Sequence, residues 1–359
     1  MKQILIMAGG TGGHIFPAMA VAEALQEAGY RITWLGAARG METRLVPEAG
    51  FDLHTLSVTA WQGGSLLRKL VAPVNLLRAV AEALGLLRRL QPAAVVGFGG
   101  YASAPGGIAA LLLRKPLVLH EQNGVPGLTN ARLACRATVL LQAFPQTFPG
   151  QVEVVGNPVR EALCKLPSPE QRGLGGHGQL RVLVMGGSQG AQVLNDTVPA
   201  ALALLTRAIR PDVWHQAGSG KTEATLAAYQ QAGVDASVVE FIDDMSRAYQ
   251  WADLVICRSG ASTVSELAAV GVYSLLVPYP WHKDRQQYRN AQWLVEDGAA
   301  ECLEQNELNT ESLAARLSHW HSHRAELKLA ATRAWRLGIR DSASRVVRVI
   351  NELQVEQAA

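Results

Sequence analysis

Two segments of this 359-residue chain place glycines where a backbone can approach an anion. The first, Gly9-Gly10-Thr11-Gly12-Gly13-His14, follows the apolar run Ile4–Met7. The second, Gly186-Gly187-Ser188-Gln189-Gly190-Ala191, follows Val182–Met185. A short buried strand running through glycines into a helix turns free backbone N–H groups toward a phosphate. His14 closes the first loop, and an imidazole titrating near neutral pH can take a proton from an attacking hydroxyl. His120 and Glu121, just past Leu117–Leu119, are rival bases. Glu266, by itself, reads as a solvated helix acid. Asn123 can cap the loop Gly124–Gly127. The duplication predicts two similar open α/β domains facing one another, with a phosphate-bearing ligand between them.

The elements that must hold these residues alternate along the chain. Strands are expected at Ile4–Met7, Ile32–Leu35, Ala94–Val96, Leu117–Leu119 and Val152–Val155. Helices are expected at Pro17–Ala28, Met41–Ala49, Val74–Leu90 and Gly106–Leu113. The pattern restarts with strands at Val182–Met185, Val213–Gln216, Val238–Phe241, Leu254–Cys257 and Ser274–Val277. Such alternation argues for parallel sheets covered on both faces. The echo extends to a second small-residue turn in each half, Gly99-Gly100-Tyr101 after Ala94–Gly97 and Ser259-Gly260-Ala261-Ser262 after Asp253–Ile256. Lys165–Pro169 and Gly173–Gly178 have linker composition. Ser342–Leu353 carries Val346, Val347, Ile350 and Leu353 at helical spacing.

Composition narrows the function. A net charge of +3 gives no case for nucleic acid, and 48% apolar residues suffice for two cores. The four scattered cysteines form no CxxC and read as buried, reduced thiols of a cytosolic chain. The run after Lys2 stops at Gly9, too short for a signal peptide, and no 18-residue apolar stretch exists to span a membrane. Three motif matches have plainer readings. Gly97-Phe98-Gly99-Gly100-Tyr101-Ala102 fits a dinucleotide fingerprint, with Glu121 downstream, but arrives late in the fold. Gly218-Ser219-Gly220-Lys221-Thr222 resembles a P-loop end, yet His215 stands where its leading glycine belongs. Asp243-Asp244 lacks the Asp-x-Asp spacing and can cap a helix.

Several motifs together resemble the MurG family, bacterial N-acetylglucosaminyltransferases that convert lipid I to lipid II. They are Gly9–His14, Gly99–Pro105, Gly186–Ala191, His120-Glu121-Gln122-Asn123, Gly127–Asn130, Gly156–Arg160, Arg258–Glu266 and Asp284–Gln287. They run in order over nearly the whole chain. The resemblance implies the GT-B architecture, α/β with two Rossmann-like parallel-sheet domains and an interdomain cleft. It implies an acceptor and membrane-associating domain at 1–163, with a helix at 341–359 packing back on it, and a UDP-GlcNAc domain at 164–340. To the donor it assigns Thr11, Gly12, Gly13, Asn123, Arg160, Ser188, Ile242, Ala261, Ser262, Thr263, Val264, Ser265, Glu266, Gln286 and Gln287. To the acceptor it assigns Tyr101, His120 and Asn130, with His14 or Glu121 as base. No role carries over to Trp281 and His282.

The reaction so implied is an inverting transfer of GlcNAc from UDP-GlcNAc to the C4 hydroxyl of MurNAc in lipid I. With no metal motif and no cofactor expected, helix N-termini must stabilise the leaving diphosphate. Leu66–Leu90 mixes apolar positions with Arg68, Lys69, Arg78, Arg88 and Arg89, broken once by Pro73. Such a stripe is ordinarily core. A polyprenyl acceptor makes it an interfacial site, with Leu70, Val74 and Leu77 dipping in and Arg68, Lys69 and Arg78 at anionic headgroups. Attachment to the cytoplasmic face of the bacterial inner membrane follows, with cell-wall and division machinery as further partners. The alternatives are a sugar-nucleotide epimerase on the same scaffold, a dinucleotide-dependent oxidoreductase, and a non-catalytic binding protein.

Overall fold

A run such as Ile4-Leu5-Ile6-Met7 has no polar face, so it is stable only in a sheet covered on both sides. In the computed structural model, which describes residues 1–57, 66–174, 176 and 178–356, all four side chains are fully buried. They belong to β1 (Gln3–Ala8). It is followed by β2 (Arg31–Ala37), β3 (Asp52–Leu56), β4 (Ala94–Gly99), β5 (Leu117–Glu121), β6 (Val139–Gln142) and β7 (Glu153–Val154). The order across this parallel sheet is β3-β2-β1-β4-β5-β6-β7. Interleaved are α1 (Gly12–Glu27), α2 (Glu42–Glu48), α3 (Leu66–Leu90), α4 (Ser103–Leu112) and α5 (Leu128–Leu133). Alternate β1 side chains serve opposite faces. Ile4 and Ile6 pack with Ile15, Val21 and Leu25 of α1, while Leu5 and Met7 pack with Leu87 of α3 and Ala109 of α4.

The second unit repeats the plan. After the short α6 (Glu161–Cys164) come β8 (Arg181–Met185), β9 (Asp212–Gln216), β10 (Ser237–Val239), β11 (Leu254–Cys257), β12 (Tyr273–Leu276) and β13 (Ala300–Cys302). They lie in the order β10-β9-β8-β11-β12-β13. Its helices are α7 (Gln192–Ala203), α8 (Thr222–Gln231), α9 (Met245–Trp251), α10 (Ala261–Val270), α11 (Gln286–Val295), α12 (Thr310–Ser322) and α13 (Arg324–Leu337). Both sheets therefore begin in the middle, grow to one edge, and return to the other side of the first strand.

The chain divides into residues 1–159 with 341–359, and residues 160–340. The division falls at Arg160 rather than after residue 163 because α6 packs with α9 and α10. The helix α14 (Ser342–Glu356) lies against α1 and places Val346, Val349, Ile350 and Leu353 in the core of the first unit. Each such residue stabilises that core by roughly 1.5–3 kcal/mol. Tyr30 donates to Asn351 Oδ1 at 2.6 Å, and Ser342 Oγ donates to the Gly156 carbonyl at 2.9 Å.

Several boundaries differ from expectation. The α1 helix starts at Gly12, within the glycine loop, and carries Pro17 inside it, where a helix start was expected. Pro17 has no N–H for the Gly13 carbonyl one turn back. The α3 helix likewise continues N-terminally through Pro73 to Leu66. The cysteines are not uniformly buried, since only Cys257 is enclosed and Cys135 is exposed on a 3-10 turn.

Candidate active site

The strand order reverses beside β1 in the first unit and beside β8 in the second. In open α/β sheets, ligands bind outside the carboxyl ends of strands at such points. Both glycine loops, and the turns after β4 and β11, lie there.

In the first unit the strand-end carbonyls are turned inward. Trp34 Nε1 donates to Ala8 O at 2.8 Å, Ser103 Oγ to Gly99 O at 2.7 Å, and Gln122 Nε2 to Phe98 O at 2.6 Å. Gly100, at φ +89°, lies so close to the Gly9 backbone that any Cβ there would overlap its carbonyl. Tyr101 follows, 39% exposed, with its ring beside Gly10. His14 is half-buried, with Nδ1 3.5 Å from Thr11 Oγ1 and its ring edge against Gly99. Burial lowers its pKa from the ordinary imidazole value, and the charge of Glu42 opposes that shift. His14 is therefore neutral near pH 7 and can accept a proton. Thr11, Gly12, Gly13, His14 and Tyr101 thus share one end of the sheet.

Glu121 has a different occupation. It is 2% exposed, and its carboxylate accepts from Asn123 N at 3.1 Å, Asn123 Nδ2 at 3.2 Å, Gly127 N at 3.0 Å and Asn130 Nδ2 at 2.9 Å. Burial raises its pKa and these four bonds lower it. The carboxylate organises the loop that leads into α5. His120 is fully buried, with Nε2 donating to Gly156 O at 2.9 Å and a pKa pushed down to about 4 by burial. Asn130, 1% exposed, also donates to His120 O at 3.1 Å. His120, Glu121 and Asn130 thus form a framework beneath the loops.

In the second unit, Gly190 (φ +68°) sits against the Ala217 carbonyl, where a Cβ would overlap it. Ser188 stands exposed at the loop tip, and its carbonyl accepts from Ser219 N at 3.2 Å. This is the use of the P-loop-like stretch, whose Gly218 packs on Gly190. The α10 N-terminus offers the first-turn N–H groups of Ala261, Ser262 and Thr263, and among the described residues Ser262 Oγ has no hydrogen-bond partner. Val264 and Ser265 are buried in the same helix. Glu266, one turn on, is not a solvated acid: its side chain is 16% exposed. It accepts from Arg160 at 3.2 Å and from Tyr249 Oη at 3.0 Å. Burial raises its pKa, and Arg160 opposes this. Ile242 is buried just before a recess whose walls include Arg160, Asp243 and Met245. Asp244 Oδ1 caps α9 by accepting from Arg247 N at 3.0 Å, the plainer of its expected uses. Gln286 opens α11, and Gln287 Oε1 accepts from Tyr279 N at 2.9 Å, fixing the preceding loop. Trp281 in that loop is 75% exposed.

Residues 4–142 match the glycosyltransferase family 28 N-terminal domain and residues 181–346 its C-terminal domain. The UDP-N-acetylglucosamine--N-acetylmuramyl-(pentapeptide) pyrophosphoryl-undecaprenol N-acetylglucosamine transferase of Shewanella denitrificans is 49% identical over 356 residues, 98% of this chain and 97% of that protein. The crystal structure of MurG from Acinetobacter baumannii is 38% identical, with a TM-score of 0.88 over 98% of this chain and 100% of that one. The chain belongs to the MurG family of glycosyltransferases. The calicheamicin glycosyltransferase CalG4, 16% identical at a TM-score of 0.69 and covering 100% of both chains, shares the two-domain GT-B fold.

Beyond the expected family site, α3 divides along its length. Ala79, Val80, Ala83, Leu86 and Leu87 face the core, whereas Val74 and Leu77 are 64% and 69% exposed. Arg78 is exposed beside them, 3.1 Å from Glu82. The side chains of Arg68, Lys69 and Leu70 lie outside the described residues. Among those described, no helix is long and apolar enough to cross a membrane, and no three His, Cys, Asp or Glu cluster as a metal site. Sequence reasoning missed Tyr249, buried and bonded to Glu266, and Glu42, buried beneath the first glycine loop. A tyrosine in a short helix carries no signal of its own. Glu42 had one, in the glycines Gly9, Gly36 and Gly40 that surround it.

Proposed function

We propose that this family 28 glycosyltransferase moves GlcNAc from UDP-GlcNAc to the C4 hydroxyl of MurNAc in lipid I, with inversion, to give lipid II for peptidoglycan. The near-full-length kinship with the Shewanella enzyme, named as an N-acetylglucosamine transferase acting on N-acetylmuramyl-(pentapeptide) pyrophosphoryl-undecaprenol, carries the reading. His14 takes the proton from the C4 hydroxyl as its oxygen attacks the anomeric carbon from the face opposite the leaving UDP. Its neutral imidazole at the end of a glycine loop suits that role better than Glu121, whose oxygens are engaged by four donors. Charge then develops on the β-phosphate, and the N–H groups of the α10 first turn with Ser262 Oγ stabilise it. Glu266, aligned by Arg160 and Tyr249, accepts the ribose hydroxyls. Ile242 borders the uracil, Ser188 the phosphates, and Gln286 and Gln287 the sugar. Thr11, Gly12, Gly13 and Asn123 border the reacting sugar, and Tyr101 the acceptor. No metal is required in this scheme.

The acceptor is a polyprenyl lipid, and the exposed Val74 and Leu77 with Arg78 favour peripheral attachment to an anionic cytoplasmic leaflet. The test is incubation with labelled UDP-GlcNAc and a lipid I analogue, with and without EDTA. Transfer in both arms is expected. Free-sugar isomerisation or binding without turnover would refute the transfer, and magnesium-restored activity would refute metal independence. A Val74→Glu/Leu77→Glu variant should cosediment less with cardiolipin-containing vesicles. Wild-type binding by a folded variant would move the membrane contact elsewhere.

A further inference from the structure

Glu42 is fully buried in the first turn of α2, yet no Lys or Arg pairs with it among the described residues. Burying a charge is costly unless its oxygens are satisfied. Here Oε2 accepts from Gly10 N at 3.1 Å and Oε1 from Ala37 N at 2.9 Å. Gly10 lies in the loop after β1 and Ala37 ends β2, so one carboxylate ties two neighbouring strand ends together. Two converging N–H donors require two acceptor oxygens. A glutamine would turn an NH₂ group against one of them.

The surroundings are shaped to this carboxylate. A Cβ on Gly36 would stand 2.7 Å from Glu42 Cγ, and one on Gly9 or Gly40 would overlap the carboxylate itself. An acid needed only to begin a helix could remain in solvent. We propose that Glu42 is a positioning residue for the transfer, holding the Gly9–Gly10 turn so that His14 faces the acceptor hydroxyl, and supporting His14 with its negative charge. The proposal rests on the reading of His14 as base. The titratable groups on the neighbouring elements are Glu42 of α2, Tyr101 after β4, and His120 and Glu121 of β5. Of these, Glu42 is the one whose charge acts on His14, raising its pKa against burial.

The test compares Glu42→Gln and Gly40→Ala in the full chain. Gly40 lies outside the glycine loop, and a methyl there displaces the carboxylate without removing it. Turnover with UDP-GlcNAc and a lipid I analogue should fall about ten- to a hundredfold in both, the usual cost of misplacing a reacting group. UDP-GlcNAc affinity by calorimetry should stay within about twofold, because most of the residues proposed for the donor, Arg160, Ser188, Glu266, Gln286 and Gln287 among them, belong to the other unit. The NMR titration midpoint of His14 should fall in Glu42→Gln and shift in Gly40→Ala. Wild-type turnover in a folded variant, or reduced turnover with an unmoved His14 midpoint, would overturn the proposal. Should Glu42→Gln not fold, Gly40→Ala decides by the same two readouts. Failure of the base reading is seen separately: His14→Ala would then retain its turnover while Glu42→Gln still moved the His14 midpoint.

Discussion

The two glycine loops share a strand, a turn and a helix, but rest on opposite kinds of support. Beneath Gly9–Gly10 lies the carboxylate of Glu42. Beneath Gly190 lies a neutral network. Asn195 Nδ2 donates to Ala217 O at 3.1 Å, so its Oδ1 accepts from His215 Nε2 at 3.1 Å, and His215 Nδ1 accepts from Tyr229 Oη at 2.8 Å. Burial holds His215 neutral, with its pKa pushed down to about 4. A loop that presents a base gains from a negative charge nearby, since it favours the protonated imidazole formed during reaction. A loop that receives a diphosphate would be weakened by the same charge. The repeated fold thus permits divergent chemistry through the residues under each turn.

The sharpest way to separate the loops is His14→Ala. Turnover should fall about 10²–10⁴-fold, the usual size of general-base catalysis, with donor affinity nearly unchanged. A larger turnover loss from Glu121→Ala, with only a raised acceptor KM for His14→Ala, would exchange their roles. Acid unfolding tests a property the two units share. His120 and His215 each have a folded pKa near 4 against 6.5 for the free side chain. Their contribution is intact above about pH 6.5 and is lost as pH falls toward 4, because the unfolded chain binds the proton first. Each accounts for up to about 3 kcal/mol, read from urea midpoints across that range. A flat stability profile between pH 6.5 and 4 would contradict their burial as neutral groups. The smallest effect is expected from Glu266→Ala, which should weaken UDP-GlcNAc binding by about 1–3 kcal/mol by leaving polar partners unmatched. Unchanged calorimetric affinity would remove Glu266 from the ribose site.

The duplicated plan was legible because β1 after Gln3 and β8 after Arg181 are apolar and run straight into glycines. The strands β3, β6 and β13 carried no comparable mark. Asp52–Leu56 contains His54 and Thr55, and Ala300–Cys302 is only three residues long. The Pro17 boundary misled because proline favours a first helical turn, while here the glycine loop itself begins the helix. Among site residues, glycines and His14 announced themselves by spacing. The engagement of Glu121 by four donors could not be read, since Asn123, Gly127 and Asn130 converge on it only when the loop folds back. Arg160 and Glu266 lie 106 positions apart, so their pairing also needed the fold.

The return of α14 to the first unit has a consequence for synthesis on the ribosome. Residues 160–340 can complete their own core while the first unit still lacks Val346, Ile350 and the Ser342 bond to Gly156. At about 5–20 residues per second, the nascent first unit waits on the order of 10–40 s for its closing helix. During that interval, the apolar face of α1 that α14 covers is open to chaperones or to aggregation. The first unit is thus the first to begin folding, yet it cannot finish until α14 has been made.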